Sequence, residues 1–353
     1  MNFRKIKEIQ NHQSYSYSTF DSELRDGYLA YFDNESVFRI ISLENWKVLF
    51  EKDFKTPLSI NYCQNFFLIE ENRIVYTVNI EDAKIEVYYT GDLLYGYEIS
   101  SAVVSPGIII ESQTKYENYS ISERKSKLID VASNTELYSW DTIQDLIDLD
   151  DNLAYLQPRN GGEFICRDIK TAEKGWIVNL DHGAQGKRII GKSSSAIYVQ
   201  RVLAKSSHFN VVALDKITGA IIWELEDTFS FYNYDALSCK LYGLGGKTYE
   251  VINAETGERE IKHDLKKDLH IASHLTYYYD SLLYFSGYLN KNTPVFGAVN
   301  IKDGSLGFIQ EVEMPGEKSF RKGLDRPIVV GNRLYVRDAM KTLHVYETVG
   351  DSQ

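Results

Sequence analysis

The stretch that decides the fold runs from residue 212 to residue 223 and reads Val212-Ala213-Leu214-Asp215-Lys216-Ile217-Thr218-Gly219-Ala220-Ile221-Ile222-Trp223. An apolar run ends at an acidic residue, a short turn follows, and a second apolar run ends on Trp. The Asp side chain can accept hydrogen bonds from the turn backbone, and the Gly can adopt the positive φ that a tight connection needs. The stretch therefore predicts a β-hairpin whose last strand carries a large aromatic side chain.

Weaker copies of this hairpin recur along the chain. The clearest of them begin at Ile252, with the letters INAETGE, and at Val299, with the letters VNIKDGS. Eight copies span 302 residues in seven steps of about 43, which lies in the range of four-stranded propeller blades. Their first residues are Leu43, Ile80, Val131, Ile169, Leu214, Ile252, Val299 and Val345.

A second marker, a short strand in which an apolar residue leads to Tyr, has the same period. Its first and last copies are 304 residues apart, again seven steps of about 43. The tyrosines are Tyr31, Tyr76, Tyr155, Tyr198, Tyr242, Tyr284 and Tyr335, and Ile108-Ile109-Ile110 fills the one gap. The two markers predict an all-β protein, a single closed β-propeller of four-stranded antiparallel blades. Eight blades are expected, with seven as the alternative.

The two ends of the chain bear on how such a ring closes. The copy at Val345 leaves too few residues for an outer strand, so an N-terminal strand within Phe3 to Gln10 is expected to complete the last blade. The spacing of Phe3, Ile6 and Ile9 fits a strand poorly. No Pro-, Gly- or Ser-rich linker divides the chain, so residues 1–353 are expected to form one domain.

A large side chain recurs nine residues after the first residue of a hairpin copy. Such a residue is expected in the last strand of a blade, where it can bury a large area against the next blade. The examples are Tyr89, Trp140, Trp223, Ile261 and Phe308, and Trp46 and Trp176 are expected in the same strand with a shifted offset.

Five residues carry a family resemblance: Ala213, Asp215, Thr218, Gly219 and Trp223. They resemble the tryptophan-docking repeat of quinoprotein-type (PQQ-like) β-propellers, with the pattern A-x-D-x-x-T-G-x-x-x-W. The resemblance implies the propeller architecture. Enzymes of that group also need a calcium-bound quinone, a catalytic Asp and usually a pair of adjacent cysteines.

None of those enzyme features can be carried over to this sequence. The three cysteines, Cys63, Cys166 and Cys239, are isolated from one another and are expected to be buried thiols. We expect no cofactor, no metal and no catalytic residue, although the enzyme question stays open. Residues 243–248, GLGGKT, are similar to the end of a phosphate-binding loop, but a β run follows them, so they predict a Gly-rich hairpin turn.

The charge balance bears on possible partners. Lys and Arg number 39 against 50 Asp and Glu, which gives a net charge of −11. An acidic chain is disfavoured on phosphate backbones and on anionic membranes, so no nucleic-acid or membrane partner is expected, and a basic protein is favoured. The sequence holds no run of 18 apolar residues and no export pattern, and a cytoplasmic location is expected.

Aromatic residues in predicted loops mark the expected contact surface. They come from a long loop between Thr114 and Lys125 and from the blade connections at residues 94–97 and 229–234. Tyr and Phe there would offer large contact area at low entropic cost. The predicted partner-binding residues are Tyr95, Tyr97, Tyr116, Tyr119, Phe231 and Tyr232.

Two hypotheses for function follow. The first is a non-catalytic protein-interaction propeller, a monomer or weak oligomer. In one specific version it is an inhibitor or immunity-type protein whose acidic face covers a basic enzyme. The alternative is an enzyme or small-ligand-binding propeller with polar residues gathered at a central channel.

Overall fold

The structure is a computed structural model of the chain. It describes residues 2–10, 23–25, 28–32, 37–42, 45–55, 57–63, 66–71, 74–79, 82–90, 98–105, 108–117, 120–130, 133, 135–141, 144–150, 152–158, 162–171, 173–180, 184–203, 209–228, 230–290, 292–313, 323–340 and 342–349. Within these ranges no helix is long and apolar enough to cross a membrane.

The strands fall into two compact units, of which one comprises residues 11–179. This unit holds four sheets, numbered in chain order. Sheet 1 contains β2 (Glu23–Arg25), β3 (Tyr28–Phe32), β4 (Val37–Ser42) and β5 (Val48–Asp53). Sheet 2 contains β6 (Pro57–Cys63), β7 (Phe66–Glu71), β8 (Ile74–Asn79) and β9 (Ile85–Thr90). Sheet 3 contains β10 (Glu98–Ser105), β11 (Ile108–Glu117), β12 (Ser120–Asp130) and β13 (Thr135–Trp140). Sheet 4 contains β14 (Gln144–Asp150), β15 (Leu153–Pro158), β16 (Glu163–Asp168) and β17 (Lys174–Asn179).

The other unit comprises residues 1–10 and 180–353. Sheet 5 contains β18 (Ala184–Lys192), β19 (Ala196–Leu203), β20 (Phe209–Asp215) and β21 (Ile221–Thr228). Sheet 6 contains β22 (Phe231–Asp235), β23 (Lys240–Gly245), β24 (Thr248–Asn253) and β25 (Arg259–Asp264). Sheet 7 contains β26 (Leu269–Tyr279), β27 (Leu282–Leu289), β28 (Thr293–Asn300) and β29 (Leu306–Glu311). Sheet 8 contains β30 (Ile328–Val330), β31 (Arg333–Arg337), β32 (Thr342–Val349) and β1 (Asn2–Gln10).

The described strands thus form eight four-stranded antiparallel sheets. In the first seven sheets the strands lie side by side in chain order, so each sheet is a meander whose fourth strand has one neighbour. The prediction of an all-β fold built from four-stranded repeats is confirmed. Residues 243–248 are part of the predicted hairpin: Gly246 and Lys247 form the turn between β23 and β24, with Gly246 at φ 59°.

The N-terminal strand occupies the outer position of sheet 8. It pairs antiparallel with β32, from Asn2 opposite Val349 to Gln10 opposite Thr342. A shift in register between Lys5 and Lys7 marks a β-bulge at Ile6. A bulge adds one residue to the local spacing. It therefore explains how apolar residues three positions apart can occur in a strand.

The recurrent large side chains lie where the spacing predicts them. Tyr89, Trp140, Trp223, Ile261 and Phe308 are all in the fourth strand of their sheets, and Trp176 is as well.

The prediction for Trp46 was wrong. Trp46 precedes β5 and lies in the turn itself, with φ 61°, and its backbone N–H donates to the Ser42 carbonyl at 2.9 Å. The chain reverses at this residue rather than before it, so the indole belongs to the turn.

Two predicted loops are strands. The segment from Thr114 to Lys125 continues the β11–β12 hairpin, with Lys115 opposite Glu123 and Tyr116 opposite Ile121. Most of residues 229–234 belongs to β22. Tyr and Ile are strong β-formers, and Tyr116 opposite Ile121 and the oppositely charged Lys115 and Glu123 are cross-strand pairs that favour continued pairing. The aromatic content of these segments therefore reflects strand formation.

Candidate functional site

The turn after Asp215 shows how each repeat is built. The Asp215 Oδ1 atom accepts hydrogen bonds from the N–H groups of Ile217 at 3.0 Å and Thr218 at 2.7 Å, and from the Thr218 hydroxyl at 2.8 Å. These hydrogen bonds lower the pKa of Asp215. Gly219 has a φ of 72°, as the sequence predicts. Equivalent side-chain caps are formed by Asp168, Asn253 and Asn300.

Trp223 carries the contact between sheets 5 and 6. Its indole N–H donates to the Ala254 carbonyl of sheet 6 at 2.9 Å. A Cβ on Gly257, which has φ 73°, would lie 2.6 Å from Trp223 Cδ2. The ring of Tyr198 stacks on the indole, with centroids 6.1 Å apart. The Trp of one sheet therefore docks against the glycine turn of the next sheet, as the repeat pattern predicts.

The contact between sheets 6 and 7 uses other side chains in the same place. The Tyr249 hydroxyl donates to the Ile301 carbonyl, and the His263 Nε2 atom lies 3.2 Å from the Gly304 carbonyl oxygen. A Cβ on Gly304 would lie 2.2 Å from His263 Cε1. The glycine turn is thus retained where the Trp is absent.

The structure places Tyr232, one of the predicted contact residues, in the interior of the protein. Its side chain is fully buried, and its hydroxyl donates to Glu250 Oε2 at 3.0 Å. Glu250 is also fully buried and lies 3.1 Å from Arg259 Nε and 3.7 Å from Lys262 Nζ. A buried carboxylate needs such partners. Tyr232 therefore serves this internal network and is not exposed to a partner.

The other five predicted contact residues cannot be placed on a surface. Tyr95, Tyr97 and Tyr119 lie outside the described residues. Tyr116 belongs to β11 and Phe231 to β22, but their side chains lie outside the description. Their role in binding stays a prediction.

Four exposed apolar side chains belong to the β20–β21 turn, to β21 and to the turn after β22, and we call them the isoleucine patch. It consists of Ile217, 84% exposed, Ile221, 47% exposed, Ile222, 50% exposed, and Leu237, 99% exposed. Ile217 lies in the turn before β21, and Leu237 lies in the turn after β22. Singly exposed apolar residues are ordinary, but neighbouring ones mark a binding surface more often.

A pocket of about 700 Å³ opens beside this patch, and we call it the 5/6 pocket. Its volume is in the range of ligand and side-chain binding sites. Ala196, Tyr198 and Ile222 of sheet 5 line it, and Tyr234, Ala254 and Glu255 of sheet 6 complete the wall. The Tyr198 and Tyr234 rings have centroids 4.9 Å apart. Burial raises the pKa of both tyrosines, so their hydroxyls remain protonated near neutral pH.

The thiol of Cys239 also lines the 5/6 pocket. It lies 3.9 Å from the Tyr234 hydroxyl and is half-buried, whereas Cys166 is buried as predicted. The expectation of a buried thiol was therefore wrong for Cys239. Its φ of 54° places it in the left-handed turn after β22, which brings the side chain to the pocket wall.

A second pocket, the 6/7 pocket, lies at the equivalent place between sheets 6 and 7. Its volume is about 400 Å³. Lys240 begins β23 as Ala196 begins β19, and Ile301 and Lys302 follow Asn300 as Ala254 and Glu255 follow Asn253. Larger side chains fill part of this pocket, and the charge that follows the cap is reversed. Among the described residues, no three His, Cys, Asp or Glu side chains are grouped so that they could hold a metal ion.

The isoleucine patch was missed at the level of sequence, although a signal existed. The second residue after the capping Asp or Asn is charged in the copies that carry Lys170, Glu255 and Lys302. In the central copy it is Ile217. An apolar residue at a turn position that is otherwise charged points to a contact surface.

Comparison with known proteins supports the repeat resemblance. Residues 121–233 match a family model described as outer membrane protein assembly factor BamB, of the PQQ-like repeat type. No curated protein matches the chain. This stretch includes the hairpin from Ala213 to Trp223, so the resemblance drawn from those residues is confirmed.

Solved structures show the same fold at low sequence identity. BamB from Moraxella catarrhalis is 12% identical, with all of both chains covered and a TM-score of 0.60. The C-terminal WD40 domain of Sif2 is 12% identical, with 99% of each chain covered and a TM-score of 0.65. Sqt1 of Saccharomyces cerevisiae is 9% identical, covers 97% of this chain and 100% of its own, and has a TM-score of 0.62. The predicted all-β propeller fold is confirmed, and residues 121–233 match the PQQ-like repeat model.

Proposed function

We propose that this chain is a non-catalytic protein-interaction propeller that binds a basic protein in the cytoplasm. The single observation that carries the proposal is the isoleucine patch, four exposed apolar side chains of which one, Ile222, lines an open pocket. Apolar anchors within a polar surround are the usual centre of a protein interface. The half-buried free thiol of Cys239 fits a reducing compartment.

The charge of the chain supports a basic partner. The net charge is −11, and the fourth strand of sheet 5, Ile221–Thr228, contains the exposed Glu226 and Glu224, of which Glu224 pairs with the buried Arg201. Acidic groups around an apolar centre raise the rate of association with a cationic surface and select against anionic ones. An inhibitor or immunity-type protein that covers a basic enzyme is the specific version of this proposal.

The proposal includes a closed eight-bladed ring that forms a single domain. The pairing of β1 with β32 supports the closed ring, because a sheet that contains both ends of the chain joins the first and last parts of the sequence. Inside sheet 8, His344 is fully buried, and its ring nitrogens lie 2.9 Å from Asp338 Oδ2 and 3.3 Å from Glu8 Oε1. This contact ties the N-terminal strand to the last hairpin. The matched family's description, an assembly factor, agrees with a role in protein association.

The test is affinity capture from a lysate of the source organism, with the retained proteins identified by mass spectrometry. Three tagged chains are compared: the natural chain, Ile222→Ser, and the control Val87→Ser, in which a residue 61% exposed on β9 is changed. We expect one basic protein that is retained by the natural chain and the control and reduced about tenfold by Ile222→Ser. Equal retention by all three chains, or no specific protein at all, would contradict the proposal.

A further inference from the structure

The 5/6 pocket and the 6/7 pocket are built from the same positions but differ in what they can hold. In the 5/6 pocket these positions carry Ala196, Ala254 and Glu255. In the 6/7 pocket they carry Lys240, Ile301 and Lys302, and the volume falls from about 700 Å³ to about 400 Å³. Small side chains therefore leave a larger open space in the first pocket, which Ser193, Ser194 and Ser195 also line.

The walls of the 5/6 pocket suit an aromatic or large aliphatic side chain. The rings of Tyr198 and Tyr234 form part of the lining, and Ile222 forms another part at the edge of the isoleucine patch. Aromatic rings pair well in tilted or offset arrangements, and an apolar side chain in a concave site that excludes water is the typical anchor of an interface. Neither tyrosine is ionised near neutral pH, because burial raises both pKa values.

The charge at the rim selects the neighbours of such a side chain. The exposed carboxylate of Glu255 and the side chain of Lys192 both line the 5/6 pocket, so its charged lining is one acidic and one basic residue. In the 6/7 pocket the residue equivalent to Glu255 is Lys302, and Lys240 lies 2.7 Å from Glu260. Since the chain has a net charge of −11 and the second pocket is lined by two lysines and no acidic residue, a cationic residue next to the anchor is favoured at the first pocket over the second.

We propose that the 5/6 pocket binds an aromatic or large aliphatic side chain of the partner, in a segment where Lys or Arg flanks that residue. The proposal rests on the proposed function, since it names the part of a basic protein that the site recognises. The occupant is a segment of another protein, and the 6/7 pocket does not bind it.

The probe is the synthetic peptide Ac-Lys-Phe-Lys-NH₂, with Ac-Glu-Phe-Glu-NH₂ and Ac-Lys-Ser-Lys-NH₂ as matched controls. The readout is the rate at which iodoacetamide alkylates Cys239 in the full chain, followed by mass spectrometry of the peptide that contains this residue. Cys239 lines the pocket and is half-buried, so an occupant shields it. At twice its dissociation constant, the Lys-Phe-Lys peptide is expected to slow alkylation about threefold, and the controls are expected to leave the rate unchanged.

Three variants decide where the peptide binds. Glu255→Lys changes an exposed residue and is expected to abolish the protection, whereas Lys302→Glu in the 6/7 pocket is expected to keep it. Ala254→Ile, which places the residue of sheet 7 in the first pocket, is expected to abolish protection by filling the space. A melting curve of each variant checks that the fold is retained, and Glu255→Lys is decisive if Ala254→Ile does not fold.

Protection by the Glu-Phe-Glu peptide, or an unchanged alkylation rate with the Lys-Phe-Lys peptide, would overturn the proposal. These outcomes are distinct from failure of the proposed function. If a basic protein is captured and Glu255→Lys does not reduce its retention, the pocket proposal is wrong and the proposed interaction function stands. If the peptide binds at the pocket but no protein is captured, the pocket proposal stands and the proposed interaction function is wrong.

Discussion

The junction of sheets 5 and 6 and the junction of sheets 6 and 7 have the same backbone plan and different side chains. Both place a glycine turn of one sheet against large side chains of the sheet before it, through Gly257 in the first case and Gly304 in the second. The first junction adds a docked Trp, exposed isoleucines and a pocket of about 700 Å³, and the second has a pocket of about 400 Å³ lined by lysines. Packing against the next sheet is thus common to both junctions, and the open apolar surface belongs to one.

Substitution of the docking glycine is expected to have the largest effect on the first junction. Gly257→Ala places a Cβ 2.6 Å from the Trp223 ring, at a residue with φ 73°. Backbone strain and the displaced indole together are expected to lower the free energy of unfolding by about 3 kcal/mol. Urea denaturation measures this loss of free energy of unfolding. Gly331→Ala is the control for the positive φ alone, because nothing lies within 4 Å of a Cβ there. A loss no larger than that of the control would show that Trp223 does not depend on the glycine.

Sheet 8 extends the comparison, because it combines aromatic packing of Phe3 and Tyr346 against sheet 7 with a buried contact between Asp338 and His344. Burial opposes ionisation of Asp338, but hydrogen bonds from His344 and from the N–H groups of Thr342 and Met340 outweigh it and lower the pKa below the ordinary 3.8. The ionised carboxylate therefore stabilises the folded state above pH 3.8, and this contribution is lost as the pH falls through the lowered value.

The variant Asp338→Asn tests this pH dependence. It is expected to be less stable than the natural chain at neutral pH, and its stability is expected to fall less steeply below pH 3.8. Thermal melting between pH 2 and pH 7 follows both chains. Parallel curves over the acid range would contradict the role given to Asp338.

Removal of the indole N–H is expected to have a smaller effect. Trp223→Phe keeps an aromatic ring next to Tyr198 and loses the 2.9 Å hydrogen bond to the Ala254 carbonyl. The expected loss is about 1 kcal/mol by urea denaturation, typical of one hydrogen bond. A loss near zero would show that the ring alone holds the junction.

The smallest effect on stability is expected in the isoleucine patch. Ile222→Ser changes a side chain that is half exposed, so the free energy of unfolding is expected to change by less than about 0.5 kcal/mol. The same variant is expected to lose most of its partner binding, which separates the surface role from the packing role. A large loss of stability would assign Ile222 to the core.

The sequence predicts the parts of this molecule that repeat. The period of about 43 residues, the Asp215 turn and the outer-strand position of Trp223 all follow from local patterns of apolar, acidic and glycine residues. The bulge at Ile6 and the long β11–β12 hairpin do not, because both depend on pairing with a partner strand.

The 5/6 pocket could not be predicted from the sequence for a related reason. Its space depends on Ala196 and Ala254, which are 58 residues apart and come from different sheets. Tyr232 was misjudged in a similar way: an aromatic residue in a connecting segment has the same local pattern whether it faces solvent or a buried Glu250.

The most direct test of the central claim is the affinity of the captured partner for three forms of the chain, measured by titration calorimetry. The forms are the natural chain, Glu255→Lys in the 5/6 pocket and Lys302→Glu in the 6/7 pocket. Our account predicts that Glu255→Lys raises the dissociation constant about tenfold or more while Lys302→Glu leaves it unchanged or lowers it. Equal dissociation constants for all three forms would contradict the claim that this junction binds the partner.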